Sequence, residues 1–417
     1  MSGIPGTHPD DGDRADAGID AQPDRYTGAY LVLLADDGVD EALFALRAVA
    51  GVRSATRIST ENPTAALGAL TDGDAVVFDQ LGVAVVSAAP DRHQALLRAV
   101  QASPAVLALE PDRVVSAFDR PSPVSGGPNP TVDESQATWG LQVTRVPQSP
   151  YTGEGVRVAV LDTGMAPVHR DFTDRVVKKE SFVPGQTVDD GHGHGTHCIG
   201  TACGPTEPTS LPRYGIAGAA QVYAGKVLGN EGYGTDAYTL AGVNWAVLET
   251  CRVVSMSLGA PTRVGDAYSQ VYEQVARRAM RRGTLVVASA GNQSHRPERV
   301  EPVGHPANCP SILAVAAVGP DLSVAWFSCA GLNPDGGLVD IAAPGVGVLS
   351  AAPEPLAYQR LSGTSMATPH VAGILALLSE ANPDASAATL RYLLVTSVEP
   401  LALPSTDVGA GLVLAPG

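Results

Sequence analysis

The sequence predicts an α/β fold: a mostly parallel sheet with helices on both faces, preceded by a small α+β unit. Three observations carry this reading. From residue 139 onward, short β-branched runs at 156–161, 222–227, 253–258, 284–288 and 312–318 alternate with helical patterns, the signature of a covered parallel sheet. Ahead of them, residues 29–118 hold apolar strand-like runs separated by helical spacing. Between the two lies a stretch rich in Pro, Gly and Ser at 119–138, the composition of a linker.

The elements of the front unit follow in order. Residues 1–28 are polar, acidic and rich in Gly and Pro, and are expected to be a disordered tail. Residues 29–34 (AYLVLL) read as a strand, 40–49 as a helix, 81–88 as a second strand, 91–101 as a helix and 105–117 as a further strand. The larger unit, 139–417, takes the parallel sheet, so its chemistry is expected beyond the C-terminal ends of the strands.

Composition removes several function classes. The 417 residues carry 43 acidic against 27 Lys and Arg side chains, a net charge of −16, which argues against nucleic acid or an anionic membrane surface as partner. No apolar run approaches the ~18–20 residues needed to span a bilayer. The five cysteines (Cys198, Cys203, Cys251, Cys309, Cys329) are too sparse for a disulfide scaffold and show no CxxC spacing, so buried thiols are expected, with a Cys309–Cys329 bond left open. The N-terminus lacks a basic region followed by an apolar one, so as written the chain is expected in the cytoplasm, with leaderless export as the alternative.

Four segments carry chemistry. VAVLDTG places Asp162 at the end of a strand; alone it is an ordinary loop carboxylate, in company a carboxylate that orients a histidine. DGHGHGTH holds His192, His194 and His197 in six residues, either a metal cluster or one general base among closely packing glycines. VVASAGN ends a strand on Asn292, a turn former or a donor to an oxyanion. GTSMATPHVAG opens a helix near Ser365, an N-cap or a nucleophile whose surroundings favour developing negative charge. Pro369, taken as a first-turn residue, is expected to cost little. The order Asp162…His194…Ser365 is the one used by subtilisin.

With these pieces the chain resembles the subtilisin-like serine peptidases, the subtilases. LDTG (161–164), GHGTH (193–197), SMSLG (255–259), SAGN (289–292) and GTSMATPHVAG (363–373) all match, as do KVLGNEGYG (226–234), GVNWA (242–246) and GAGLV (409–413). The resemblance implies a serine endopeptidase with Ser365 as nucleophile, His194 as base, Asp162 as its orienting partner and Asn292 as oxyanion donor. It implies that an extended substrate adds as a strand between Gly232-Tyr233-Gly234 and Ser257-Leu258-Gly259. It walls the P1 pocket with Ser289, Ala290 and Gly291 and puts Gly304 at its floor, leaving room for a large apolar side chain. Cys198 is implied to be a buried thiol beside the base.

Residues 29–118 resemble the family's inhibitory propeptide, whose last residues lie in the cleft as a product would. This implies self-cleavage after Phe118 and inhibition by the chain's own N-terminal unit. No cofactor is required. Asp171 matches a calcium ligand, but the loop 204–213 lacks the expected Asn and brings Arg213, so calcium there is doubtful. Two rival readings are a catalytically silent binding protein on this fold and a metal-dependent hydrolase built on the histidines.

Overall fold

The structure is a computed structural model describing residues 25–58, 63–70, 73–87, 93–117, 132–173, 175–209 and 211–417. Phe118, much of the expected linker and most of the expected tail lie outside the described residues.

The front unit runs β1 (Tyr26–Leu34), α1 (Val39–Ala50), β2 (Ser54–Ile58), α2 (Pro63–Gly68), β3 (Asp74–Phe78), β4 (Val83–Ser87), α3 (His93–Ala102) and β5 (Val106–Ala117). β1 begins at Tyr26, inside the stretch read as tail. Its partners there are distant in sequence: Tyr26 pairs with Arg113, and Thr27 Oγ1 donates to Asp112 Oδ2 at 2.7 Å. The sequence reading also passed over β2 and β3, which pair in parallel with each other. One face of this sheet packs on α1 and α3 through Val32, Leu34, Leu43, Leu46, Val77 and Leu96.

The larger unit opens with α4 (Trp139–Val143), β6 (Arg157–Asp162), β7 (Val176–Ser181), α5 (His194–Cys203) and β8 (Gln221–Lys226). It continues through β9 (Tyr233–Thr235), α6 (Asp236–Leu248), β10 (Val253–Met256), β11 (Leu258–Gly259), α7 (Gln270–Arg281), β12 (Leu285–Ser289), β13 (Leu313–Val318) and β14 (Ile341–Pro344). The hairpin β15 (Val348–Ala351) and β16 (Tyr358–Leu361) precedes α8 (Thr364–Ala381), α9 (Ala387–Thr396), β17 (Val398–Glu399), α10 (Ser405–Val408) and β18 (Leu412–Val413).

The main sheet has the order β17-β18-β14-β13-β12-β10-β6-β8-β7. Every pair is parallel except β17 with β18. β10, β12 and β13 are buried along their whole length, as strands covered on both faces must be. The predicted α/β class therefore holds. α8 is the central helix, buried from Thr364 through Ser379, with Thr364, Ser365, Thr368, His370 and Ser379 as the polar side chains among its buried residues.

The two units share one core. Leu31, Leu33, Val76, Phe78, Val83 and Val85 of the front sheet pack in the same cluster as Leu240, Val271, Tyr272 and Val275 of α6 and α7. β5 leaves its own sheet and continues between two segments of the larger unit. It pairs antiparallel with β9 through Val114–Ser116 and with β11 through Ser116 and Ala117.

Candidate active site

The site forms where strand ends meet helix starts. β6 delivers Asp162 at its C-terminal end, and α5 begins on His194. Gly195 is what lets them meet. A Cβ there would lie 2.4 Å from the Gly164 carbonyl oxygen, so only glycine allows α5 to back onto the β6 loop. The result is a 2.7 Å bond from His194 Nδ1 to Asp162 Oδ1, with both side chains about 1% exposed. Asp162 Oδ1 also accepts the Thr163 N–H at 2.7 Å, which fixes the carboxylate.

Asp190 holds this corner together. Its Oδ1 accepts from Thr163 Oγ1 and the Gly193 N–H, and its Oδ2 from the N–H and Oγ1 of Thr196. Burial pushes its carboxyl up, but these donors outweigh burial and hold it below the usual range. The sequence reading singled out the neighbouring histidines and missed this carboxylate. Lys226, fully buried at the end of β8, donates to the Thr163 carbonyl at 2.5 Å and to Asn230 Oδ1 at 2.8 Å. Burial lowers its pKa.

Ser365 is the second residue of α8 and is buried. Pro369 is the sixth residue of that helix, not a first-turn residue. In a regular helix its N–H would bond to the Ser365 carbonyl four residues back. That carbonyl instead accepts Ser257 Oγ at 2.8 Å and the Cys198 thiol at 3.5 Å. Cys198 Sγ is also 3.9 Å from His194 Nδ1, so one thiol touches both the serine's backbone and the imidazole. Burial pushes that thiol up to about 11, which makes it a poor nucleophile.

Asn292 follows β12 by three residues. Its Oδ1 accepts the Thr364 N–H at 2.9 Å and Thr364 Oγ1 at 2.8 Å, which directs Nδ2 the other way. A Cβ on Gly363 would sit 3.0 Å from Asn292 Nδ2 and 3.5 Å from the Ser365 nitrogen. Glycine at 363 thus leaves open a space shared by two N–H groups, the arrangement that binds an oxyanion.

The implied substrate edges already hold a strand. Ala117 donates to the Gly232 carbonyl at 2.9 Å, Val115 pairs with Gly234, Ser116 with both Tyr233 and Gly259, and Ala117 with Leu258. Ser257, between β10 and β11, binds the Ser365 carbonyl as above. The implied P1 walls, Ser289, Ala290 and Gly291, are buried at the end of β12, and the Gly304 N–H donates to the Ala290 carbonyl at 2.9 Å. In β5, Glu110 receives Ser269 Oγ and the Gln270 N–H at the start of α7, and Asp112 receives the Ala237 N–H at the start of α6.

The three histidines do not converge on one point. His197 turns Nε2 to the Val348 carbonyl at 3.0 Å, and burial pushes it down to about 3. His192 is exposed. Among the described residues the trio close enough to share an ion is Asp162, His194 and Cys198, two of them already bonded to each other. All five cysteines are free thiols, Cys309 and Cys329 included. Asp171 accepts Thr209 N–H and Oγ1 on one oxygen and the Tyr214 and Tyr358 hydroxyls on the other. A cation needs lone pairs that these donors occupy, so this carboxylate does not fit calcium.

The subtilase family model matches residues 153–411. The chain belongs to the subtilase family. Subtilisin BL of Lederbergia lenta is 39% identical over 280 residues, 66% of this chain and 96% of its own length. Subtilisin DY of Bacillus licheniformis is 36% identical over 274 residues, 66% of this chain and 94% of its own. An alkaline protease of Shouchella clausii is 37% identical over 311 residues, covering 73% of this chain and 74% of that protein. This subtilase is a subtilisin-like serine endopeptidase acting on protein or peptide chains, and no organic cofactor is needed in the family. The expected cytoplasmic location is corrected by the same matches, since these relatives are secreted, extracellular subtilisins. Among the described residues no helix is long and apolar enough to cross a membrane.

Proposed function

We propose that this endopeptidase works through Ser365, His194, Asp162 and Asn292, prefers a large apolar P1 residue and cleaves its own chain after Phe118. Ser365 Oγ attacks the scissile carbonyl as His194 takes its proton. The Asp162 carboxylate keeps the imidazole in the tautomer with hydrogen on Nδ1 and stabilises the imidazolium. Charge on the tetrahedral oxygen is met by Asn292 Nδ2 and the Ser365 N–H. His194 then protonates the leaving amine, and water hydrolyses the acyl-enzyme by the same steps in reverse.

The observation that carries this reading is β5. A strand of the chain itself lies hydrogen-bonded between both cleft edges and runs toward the residue expected as P1. After cleavage the same contacts hold the N-terminal unit in place as an inhibitor, with Glu110 and Asp112 on two helix starts adding to the backbone ladder. The site supports turnover better than a silent scaffold, because Asp162 and His194 keep a short buried bond, which such a scaffold has no need of.

N-terminal sequencing of purified protein tests self-cleavage. Wild type should begin at residue 119 or beyond, and Ser365→Ala should remain whole. A Ser365→Ala chain cut after Phe118 would overturn the reading. Wild type, but not that variant, should also be labelled by a fluorophosphonate.

A further inference from the structure

Asp236 begins α6 beneath β5 and is fully buried. Its Oδ1 is bonded to His305 Nε2 at 2.9 Å. Its Oδ2 accepts no hydrogen bond and faces Arg113 Nη1 at 3.6 Å. That Nη1 in turn donates to no acceptor, though Glu110 Oε2 stands 3.5 Å away. The contact is therefore one of charge across a gap, made by a residue of the strand lying in the cleft. A cavity of about 280 Å³ adjoins it, lined by Arg113, Thr262, Asp266 and His305 among others.

The plain account is that Asp236 orients His305 and favours the positive end of α6. That account uses Oδ1 and leaves Oδ2 unexplained. A buried carboxylate oxygen without a donor is costly, and a partner of opposite charge offsets the cost. Arg113 supplies that charge only while the N-terminal unit is docked. When it leaves, the next chain to enter the same two strand edges places its own side chain there.

We propose that Asp236 is a specificity determinant of this peptidase, selecting substrates with a basic side chain at the sixth residue before the cut, the position Arg113 holds relative to Phe118. This rests on reading β5 as a substrate-like strand whose cut follows Phe118. It adds a charged subsite beyond the apolar P1 pocket, at the far end of the strand that pairs with β9.

The test uses the active enzyme and three fluorogenic peptides built on residues 109–124, differing only at the position of Arg113: Arg, Ala or Glu. The Arg peptide should show kcat/KM about tenfold above Ala, and Glu should fall below Ala. In Asp236→Asn the Arg-to-Ala ratio should drop to about one. Mass spectrometry of the products checks that all are cut after the Phe. Equal kcat/KM for the three in wild type overturns the inference while leaving the peptidase reading intact. Should the variant fail to fold, the wild-type series decides alone. Hydrolysis of none, or a cut at another bond, refutes the reading of β5 and this inference with it.

Discussion

Two carboxylates of the larger unit and two of the front unit are satisfied in opposite ways. In the larger unit Asp171 and Asp190 are saturated by donors from their own unit: two tyrosine hydroxyls and a threonine for one, two threonines and backbone N–H groups for the other. In the front unit Glu110 and Asp112 find their backbone donors across the boundary, on the starts of α7 and α6. The apolar cores repeat the contrast. One face of the front sheet is covered by its own α1 and α3, the other by α6 and α7. A part whose polar and apolar groups are completed by its neighbour is held by that neighbour, as the proposed inhibitor role requires.

Arg278 of α7 offers the strongest way to break that dependence. It is buried at the boundary and donates to the carbonyls of Leu81, Gly82 and Leu34 at 2.6, 3.1 and 2.7 Å, while also pairing with Asp36. Gly82 is required opposite it, since φ is +58° and a Cβ would collide with the guanidinium. Arg278→Ala strands the buried Leu81 and Leu34 carbonyls, while that of Gly82 still accepts the Leu34 N–H, and should weaken docking of the front unit by about 3 kcal/mol. In a Ser365→Ala background, amide exchange in β1 should quicken about a hundredfold, while exchange in β12 stays as it was. Equal slowing or quickening of both strands would show that the two units open together and that the contrast is false.

A smaller effect concerns pH. Burial, and next the negative charge of Asp236, push Asp112 up to about 7, against the lowering effect of Thr27, Ala237 and Thr235. Undocked, the carboxyl returns toward its ordinary 3.8. The docked state then holds a proton that the undocked state lacks between these values. Docking should therefore tighten as pH falls from 7 toward 4, and it should be weakest and flat above 7, changing at most about tenfold per pH unit. Peptidase activity against a small substrate during release reads this directly. Asp112→Asn should flatten the profile; an unchanged slope in that variant would assign the dependence to another group.

The parts legible in sequence were those with local signals. β6, β8, β10, β12 and β13 each fall within a residue or two of their β-branched runs, because a strand buried on both faces is written as a continuous apolar stretch. The Asp162–His194 pair was legible only through the family resemblance, whose GHGTH frame at 193–197 picks His194 out of three histidines that the residues alone left open. What escaped depends on distant partners. β1 starts three residues earlier than its apolar run because Thr27 answers Asp112. β2 (SATRI) has little apolar pattern and stands at the sheet edge beside β3. Pro369 was misjudged because its function is to leave the Ser365 carbonyl to Ser257 and Cys198, a relation spanning more than a hundred residues.

The least disturbance should come from removing divalent cations. The larger unit's completeness is most open to challenge at Asp171, whose sequence position alone suggests calcium. Burial would raise its carboxyl, yet the Tyr214 and Tyr358 hydroxyls and the Thr209 N–H and hydroxyl together hold it below the ordinary range. Tyr214 is pushed far up by burial and by this bond, so it remains a donor at any working pH. A cation at Asp171 would have to displace those donors and meet hydrogens where it needs oxygens. Heating the Ser365→Ala protein with and without a chelator should therefore move Tm by less than about 2 °C, well under the shift that losing even 1 kcal/mol gives in smaller domains. The complementary variant sharpens the point: Tyr214→Phe removes a donor from a buried carboxylate and should lower Tm by several degrees. A large chelator effect with a silent Tyr214→Phe would reverse the assignment and make the carboxylate a metal ligand.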